Sequence, residues 1–200
     1  MEEQTIENLD QQKEEPNYYK RDGKKEEFAI VLDYLPYGYP LENKMLPIAQ
    51  AIGLRNLTLL QLIPRRGLTF ELKERAYIGE GKREKVLYIL GRLPREKLTE
   101  TAKIQLAEVI QKVVSDNEPA FVEFFNKSQP MNTRLHQLEL LPGFGKKHMK
   151  AVLDEREKSN FISFQDIRDR VDGLPDPKKS IEKRIMEELM EIQRQNLFIA

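Results

Sequence analysis

The residues best suited to chemistry lie together in Leu141-Pro142-Gly143-Phe144-Gly145-Lys146-Lys147. Proline lacks an N–H and glycine favours unusual dihedrals, so no helix runs through this stretch. Leu135 and Leu138 predict a short helix before it, and Met149, Val152 and Leu153 mark one face of a helix beginning at Lys146. Two short helices joined by a tight glycine turn are expected. Gly143 and Gly145 carry no Cβ, so an anion can approach the backbone. The first N–H groups of the second helix have no partner within it, and with the helix dipole they attract negative charge. The dipole prefers acids at that end, yet the sequence puts Lys146 and Lys147 there. That choice points to a bound anion, a phosphate. The alternative is an ordinary helical hairpin with exposed lysines.

The pattern recurs downstream. Ser163-Phe164-Gln165-Asp166 reads as a variant capping box, with Ile162 and Ile167 as a hydrophobic staple and a helix running to about Val171. Asp172-Gly173-Leu174-Pro175-Asp176-Pro177 forms a second turn, in which Asp176 caps and Pro177 opens the next helix. Lys178 and Lys179 again occupy a first turn, and Ile181, Ile185, Leu189 and Ile192 supply its buried stripe. Two such hairpins could hold phosphates related across a groove.

Other elements must position this pair. Phe28 to Leu32 reads as a strand, followed by a Pro/Gly/Tyr loop over Tyr34 to Pro40. Pro47 to Gly53 is expected to form a short helical turn. Leu57 to Ile63, Leu68 to Leu72, Arg75 to Ile78 and Lys85 to Leu93 read as four further strands. Five short strands predict a small OB-like barrel. Thr99 can cap a helix buried through Leu106, Val109, Ile110 and Val113, and a second helix after Asn117 carries Phe121, Val122, Phe124 and Phe125 at a spacing that reads as packing. The barrel stretch also carries Arg65, Arg66, Lys82, Arg83 and Lys85, with Tyr77 and Tyr88 among them. Such a pattern suits a single-strand or RNA groove, or else a solvated face over core tyrosines.

Composition bounds the function. Lys and Arg together number 33 and so do Asp and Glu, so a nucleic-acid surface must be a local patch. The absence of Cys excludes disulfides and thiolate chemistry. The two histidines, His136 and His148, fall near the proposed phosphate site and form no metal set. No Walker loop, dinucleotide fingerprint or nucleophile elbow occurs, so no catalytic residue, metal or cofactor is assigned. The polar stretch from Met1 to Glu27 has no signal-peptide core, and no later stretch reaches the ~18 apolar residues of a membrane span, so a cytoplasmic protein is expected.

Leu141 to Arg170 resembles the helix-hairpin-helix repeats of DNA-repair and DNA-uptake proteins. That resemblance implies duplex binding largely without regard to sequence, with phosphate contacts at Gly143, Phe144, Gly145, Lys146 and Lys147. Met149 stands where such motifs usually carry Ala. The second turn lacks the second glycine, which leaves open whether it binds phosphate or supports the first. Nearly the whole chain after Glu26 resembles an archaeal family of unknown function that pairs an OB-like barrel with this module. The matching words are Phe28-Ala29-Ile30-Val31-Leu32-Asp33-Tyr34-Leu35-Pro36, Thr133-Arg134-Leu135-His136-Gln137-Leu138-Glu139-Leu140-Leu141-Pro142-Gly143 and Gly173-Leu174-Pro175-Asp176-Pro177.

The expected architecture is α+β in two domains: a disordered tail over 1–25, an OB-like β-barrel over 26–95, connecting helices over 96–128, a tandem helix-hairpin-helix domain over 129–193 and a C-terminal tail over 194–200. Candidate nucleic-acid contacts are Gly143, Phe144, Gly145, Lys146, Lys147, Lys150, Gly173, Lys178 and Lys179 in the helical part, with the five basic residues above in the barrel. The expected function is non-catalytic binding of RNA or double-stranded DNA, with RNA slightly preferred because of the barrel. The alternatives are a Mg²⁺-dependent nuclease and a protein-interaction module.

Overall fold

The computed structural model describes residues 25–40, 42 and 45–199. Residues 1–24 of the tail expected over 1–25, Tyr18 and Tyr19 among them, lie outside the described residues. Five strands form one antiparallel sheet: β1 (Phe28–Leu35), β2 (Ile48–Gly53), β3 (Leu59–Pro64), β4 (Arg75–Tyr77) and β5 (Val86–Arg92), in the order β4-β1-β2-β3-β5. The sheet curls into a half-barrel, and among the described residues β4 and β5 do not pair, so the expected closure is not made. Small side chains permit the tight curl: Ala29, Ala49, Ala51 and Ala76 line the inner face with Val31, Leu62 and Val86.

Two expectations fail here for identifiable reasons. The stretch expected as a helical turn is β2, whose six residues are all buried between β1 and β3, so pairing on both sides overrides local preference. Leu68 to Leu72 is not a strand. Gly67 turns the chain at φ 78°, Lys73 turns it again at φ 63°, and only Phe70 between them points into the core.

The helices follow as α1 (Glu100–Asp116), α2 (Glu118–Lys127), α3 (Lys146–Lys158), α4 (Phe164–Arg170) and α5 (Pro177–Met190). Thr99 caps α1, its Oγ1 accepting the Ala102 amide at 3.0 Å, and the same hydroxyl donates to Asp33 of β1 at 2.5 Å. Buried Gln50 of β2 adds a second tie, donating to the Lys97 carbonyl at 2.6 Å and accepting the Thr99 amide at 3.1 Å. The outer sheet face (Leu32, Ile52, Leu59) and all five helices then share one apolar cluster. Residues on both sides of the expected boundary between 95 and 96 share this packing. Phe121 and Phe125 are fully buried, as their spacing predicted for packing residues.

The C-terminus is also more than a tail. Leu197 and Phe198 are buried, Phe198 edge-on to Phe121 and Phe124 with ring centroids 5.8 and 5.1 Å away. The apolar run Leu197-Phe198-Ile199 needs cover, and the core supplies it. Ile192 takes no part in the stripe expected of it, being 93% exposed, because α5 ends before it at Met190.

Candidate nucleic-acid interface

The segment before the first glycine turn is less helical than its leucines predict. Short strands β6 (Pro130–Asn132) and β7 (Leu135–His136) pair, and only Gln137–Leu140 winds, as a single 3₁₀ turn. His136 starts it: its Nδ1 accepts the Leu138 amide at 3.1 Å, while Glu139 accepts the His136 amide at 2.9 Å. The side chain of His136 is buried, and its Nε2 has no hydrogen-bond partner among the described residues. Burial, reinforced by the charge of Arg156, holds its pKa below the ordinary histidine value.

Leu141-Pro142-Gly143-Phe144 then forms a β-turn, closed by the Phe144 amide donating to the Leu141 carbonyl at 3.0 Å. Pro142 and Gly143, at φ 84°, suit its two central positions. The Phe144 ring is buried 6.0 Å from that of Phe125. Phe144 is thus the anchor of the turn: its amide already donates within it and its side chain faces the core. Gly145 follows as the N-cap of α3 in extended backbone, with φ −112°, and open space lies where its Cβ would be.

Among the described residues, the start of α3 differs from those of the other four α-helices. Glu100, Glu118 and Asp166 place an acid in the first turns of α1, α2 and α4, and the Asp176 carboxylate caps α5. The first turn of α3 has neither an acid nor a side-chain cap. Gly143, Gly145, Lys146, Lys147 and Lys150 are all exposed around it. His148 folds back, its Nδ1 3.1 Å from the Gly143 carbonyl.

The second turn is built against the first. A Cβ on Gly143 would meet Pro175 at 3.2 Å, and Ser180 donates to the Pro142 carbonyl at 3.1 Å. Gly173 is exposed at φ 70°, as a tight turn requires. The start of α5, however, already holds an anion. Asp176 accepts the Lys179 amide at 3.0 Å and pairs with Arg168 at 3.3 Å, and Lys178 lies 3.9 Å from Glu182. Ahead of α4, Ser163 accepts the Asp166 amide at 2.9 Å and Asp166 accepts the Ile162 amide at 3.1 Å. The expected staple is not made: Ile162 is 81% exposed, and Phe161 beside it is the buried residue.

The barrel cations are mostly engaged. Arg65 donates to the Arg83 carbonyl at 3.0 Å, Arg83 to the Gly79 carbonyl at 2.8 Å, and Lys85 pairs with Glu74 at 2.7 Å. These three shape the 65–85 loops; Arg65, Arg66 and Lys82 are exposed, and Arg83 and Lys85 are partly buried. Tyr77 packs on Phe28 with ring centroids 5.3 Å apart, so it is a structural tyrosine. Tyr88 is 41% exposed on β5. Among the described residues, no three of His, Asp and Glu gather as a metal set, and no helix is long and apolar enough to cross a membrane.

The chain is 42% identical over 174 residues to the uncharacterized protein MJ0038 of Methanocaldococcus jannaschii, covering 87% of this chain and 79% of that one. The crystal structure of Af1531 from Archaeoglobus fulgidus superposes with a TM-score of 0.77 at 43% identity, covering 88% of this chain and 100% of that one. The archaeal resemblance drawn from the quoted words is thereby borne out at the level of family. The model for "Protein of unknown function (DUF655)" matches residues 25–200, and the chain belongs to that family.

Proposed function

We propose that this protein binds the phosphate backbone of RNA or double-stranded DNA without catalysing a reaction, gripping it at the Gly143–Lys147 turn. The supporting observation is the start of α3, the one α-helix among the described residues with neither an acidic first turn nor a side-chain cap. Four amides there need a partner, and two exposed lysines sit in the first turn, where the dipole disfavours them. A phosphate satisfies both. On this reading residues 129–193 are a tandem helix-hairpin-helix module. Its second turn, held by Asp176 and Pro175, props the first rather than taking a phosphate itself. The half-barrel acts as an OB-like flank, contributing Arg66 and Lys82. Recognition through backbone amides and lysines positions a strand without reading its bases.

Gel-shift titration with single- and double-stranded RNA and DNA, with and without Mg²⁺, tests this reading. Retarded complexes without product support it. Mg²⁺-dependent product would replace it with a nuclease, and no complex at low salt would leave a protein-interaction role.

A further inference from the structure

A cavity of about 530 Å³ opens between β1, β4 and α1, away from the hairpins. That volume is in the range of small-molecule sites. Ile30 and Leu54 form its sheet side, Val109 and Val113 its helix side. Asn117 lines it and is only 7% exposed. Its Nδ2 donates to the Val113 carbonyl at 2.9 Å, and its Oδ1 takes no hydrogen bond from a described residue. Asn117 Oδ1 is thus an acceptor that opens on an apolar slot, placed to take an N–H from a flat apolar group.

The rim has the opposite character. Lys73, Arg75 and Lys112 stand there with Glu108 and Asp116. Lys73 pairs with Glu108, and Lys112 with Asp116 at 2.9 Å; all four side chains are about half exposed or more. Solvated pairs of this kind exchange partners at little cost. Lys73 is also held in left-handed backbone, φ 63°, its amide tied to the Val31 carbonyl at 2.8 Å. Such a conformation in a residue other than glycine, at a cavity mouth, marks a position that the surrounding structure maintains.

We propose that this cavity takes a single nucleotide. The base lies between Ile30 and Val113 and donates an N–H to Asn117 Oδ1, and the phosphate sits at the rim between Lys73 and Lys112. The ligand is either a free mononucleotide or one unpaired nucleotide of a longer strand. The inference does not depend on phosphate binding at Gly145, since no residue is shared.

Methyl-detected NMR titration of the full chain with AMP, GMP, CMP and UMP tests it, beside ribose 5-phosphate and the bare nucleosides. At least one nucleotide should shift the Ile30, Leu54, Val109 and Val113 methyls. Each half-ligand should bind at least about tenfold more weakly, a difference of about 1.4 kcal/mol. Val113→Phe should fill the slot and abolish the shifts. Lys73→Ala with Lys112→Ala alters only the exposed rim and should weaken nucleotide binding by about tenfold. An RNA with one bulged nucleotide and its fully paired counterpart distinguish the sources. Shifts with the bulged strand alone assign a strand nucleotide, and shifts with mononucleotides alone assign a free one. The proposal is overturned if no nucleotide moves these methyls at millimolar concentration. It is equally overturned if ribose 5-phosphate binds as well as the nucleotides, or if the Lys73/Lys112 change leaves affinity unaltered.

Discussion

Pro175 of the second turn covers Gly143 of the first so closely that an added Cβ would lie 3.2 Å from its Cγ. Gly143 is also left-handed, at φ 84°, whereas Gly145 is extended and faces open space. The two glycines therefore do different work. Gly143 lets the turns stack, and Gly145 leaves the amides of α3 uncovered.

Opposite responses are expected from these glycines. Gly143→Ala forces left-handed backbone on a residue with a Cβ and presses on Pro175, so stability should fall by about 1–2 kcal/mol. Gly145→Asp supplies α3 with the carboxylate cap it lacks, in backbone that already suits an N-cap. It should stabilise the protein by about 0.5 kcal/mol and raise the melting temperature by about 1–2 °C. The same carboxylate would occupy the anion site, so nucleic-acid affinity should collapse. Thermal melts and gel shifts on one preparation decide it. A Gly145→Asp protein that binds like wild type would remove the phosphate from α3.

Charge removal should read out as salt dependence. On duplex DNA each neutralised phosphate contributes roughly −0.9 to the slope of log affinity against log salt. The Lys146→Ala/Lys147→Ala protein should melt like wild type and show a slope shallower by up to about two. The matched Lys178→Ala/Lys179→Ala change should lose less, because Asp176 already serves the start of α5. If only the second pair matters, the phosphate belongs to the second turn.

The C-terminal segment should behave as part of the core. Glu188 is fully buried and accepts the amides of Leu197 at 2.6 Å, Phe198 at 2.9 Å and Ile199 at 3.0 Å, with Arg184 at 2.8 Å. Glu188→Ala leaves buried Arg184 with Glu187, at 4.0 Å, as its acid and releases Phe198, a loss of about 3 kcal/mol. Glu188→Gln keeps two acceptor lone pairs and should lose less. Urea titrations should rank wild type, Gln and Ala in that order. Equal midpoints would mean that the clamp contributes nothing.

Acid should weaken the protein through His136. Burial lowers its folded-state pKa, so the unfolded chain binds the proton more readily. Stability is then complete above the unfolded value of about 6.5 and declines as pH falls below it, until the folded-state pKa is passed. His136→Gln, lacking this titration, should show a flatter melting temperature between pH 7 and pH 5 than wild type. Parallel curves for the two proteins would place the acid sensitivity elsewhere.

The sequence by itself determined the local features that carry their own chemistry. Pro142, Gly143 and Gly145 forbade a continuous helix; Thr99, Ser163 and Asp176 capped α1, α4 and α5; and Phe121, Val122 and Phe125 marked a buried helix face. Each depends on residues within one turn of one another. Tertiary structure decided what depends on distant partners. Ile48–Gly53 became a strand because β1 and β3 flank it, and Leu197 and Phe198 became core because Glu188 and Phe121 receive them. Arg65, Arg83 and Lys85 looked like a binding patch in the sequence, and folding spent them on loop carbonyls and Glu74. Asp176 ahead of α5 and Gly145 ahead of α3 already distinguish the two lysine-led turns in the sequence, because a cap acts within one turn. Folding added the partners from a distance, setting Arg168 against Asp176 and Pro175 against Gly143.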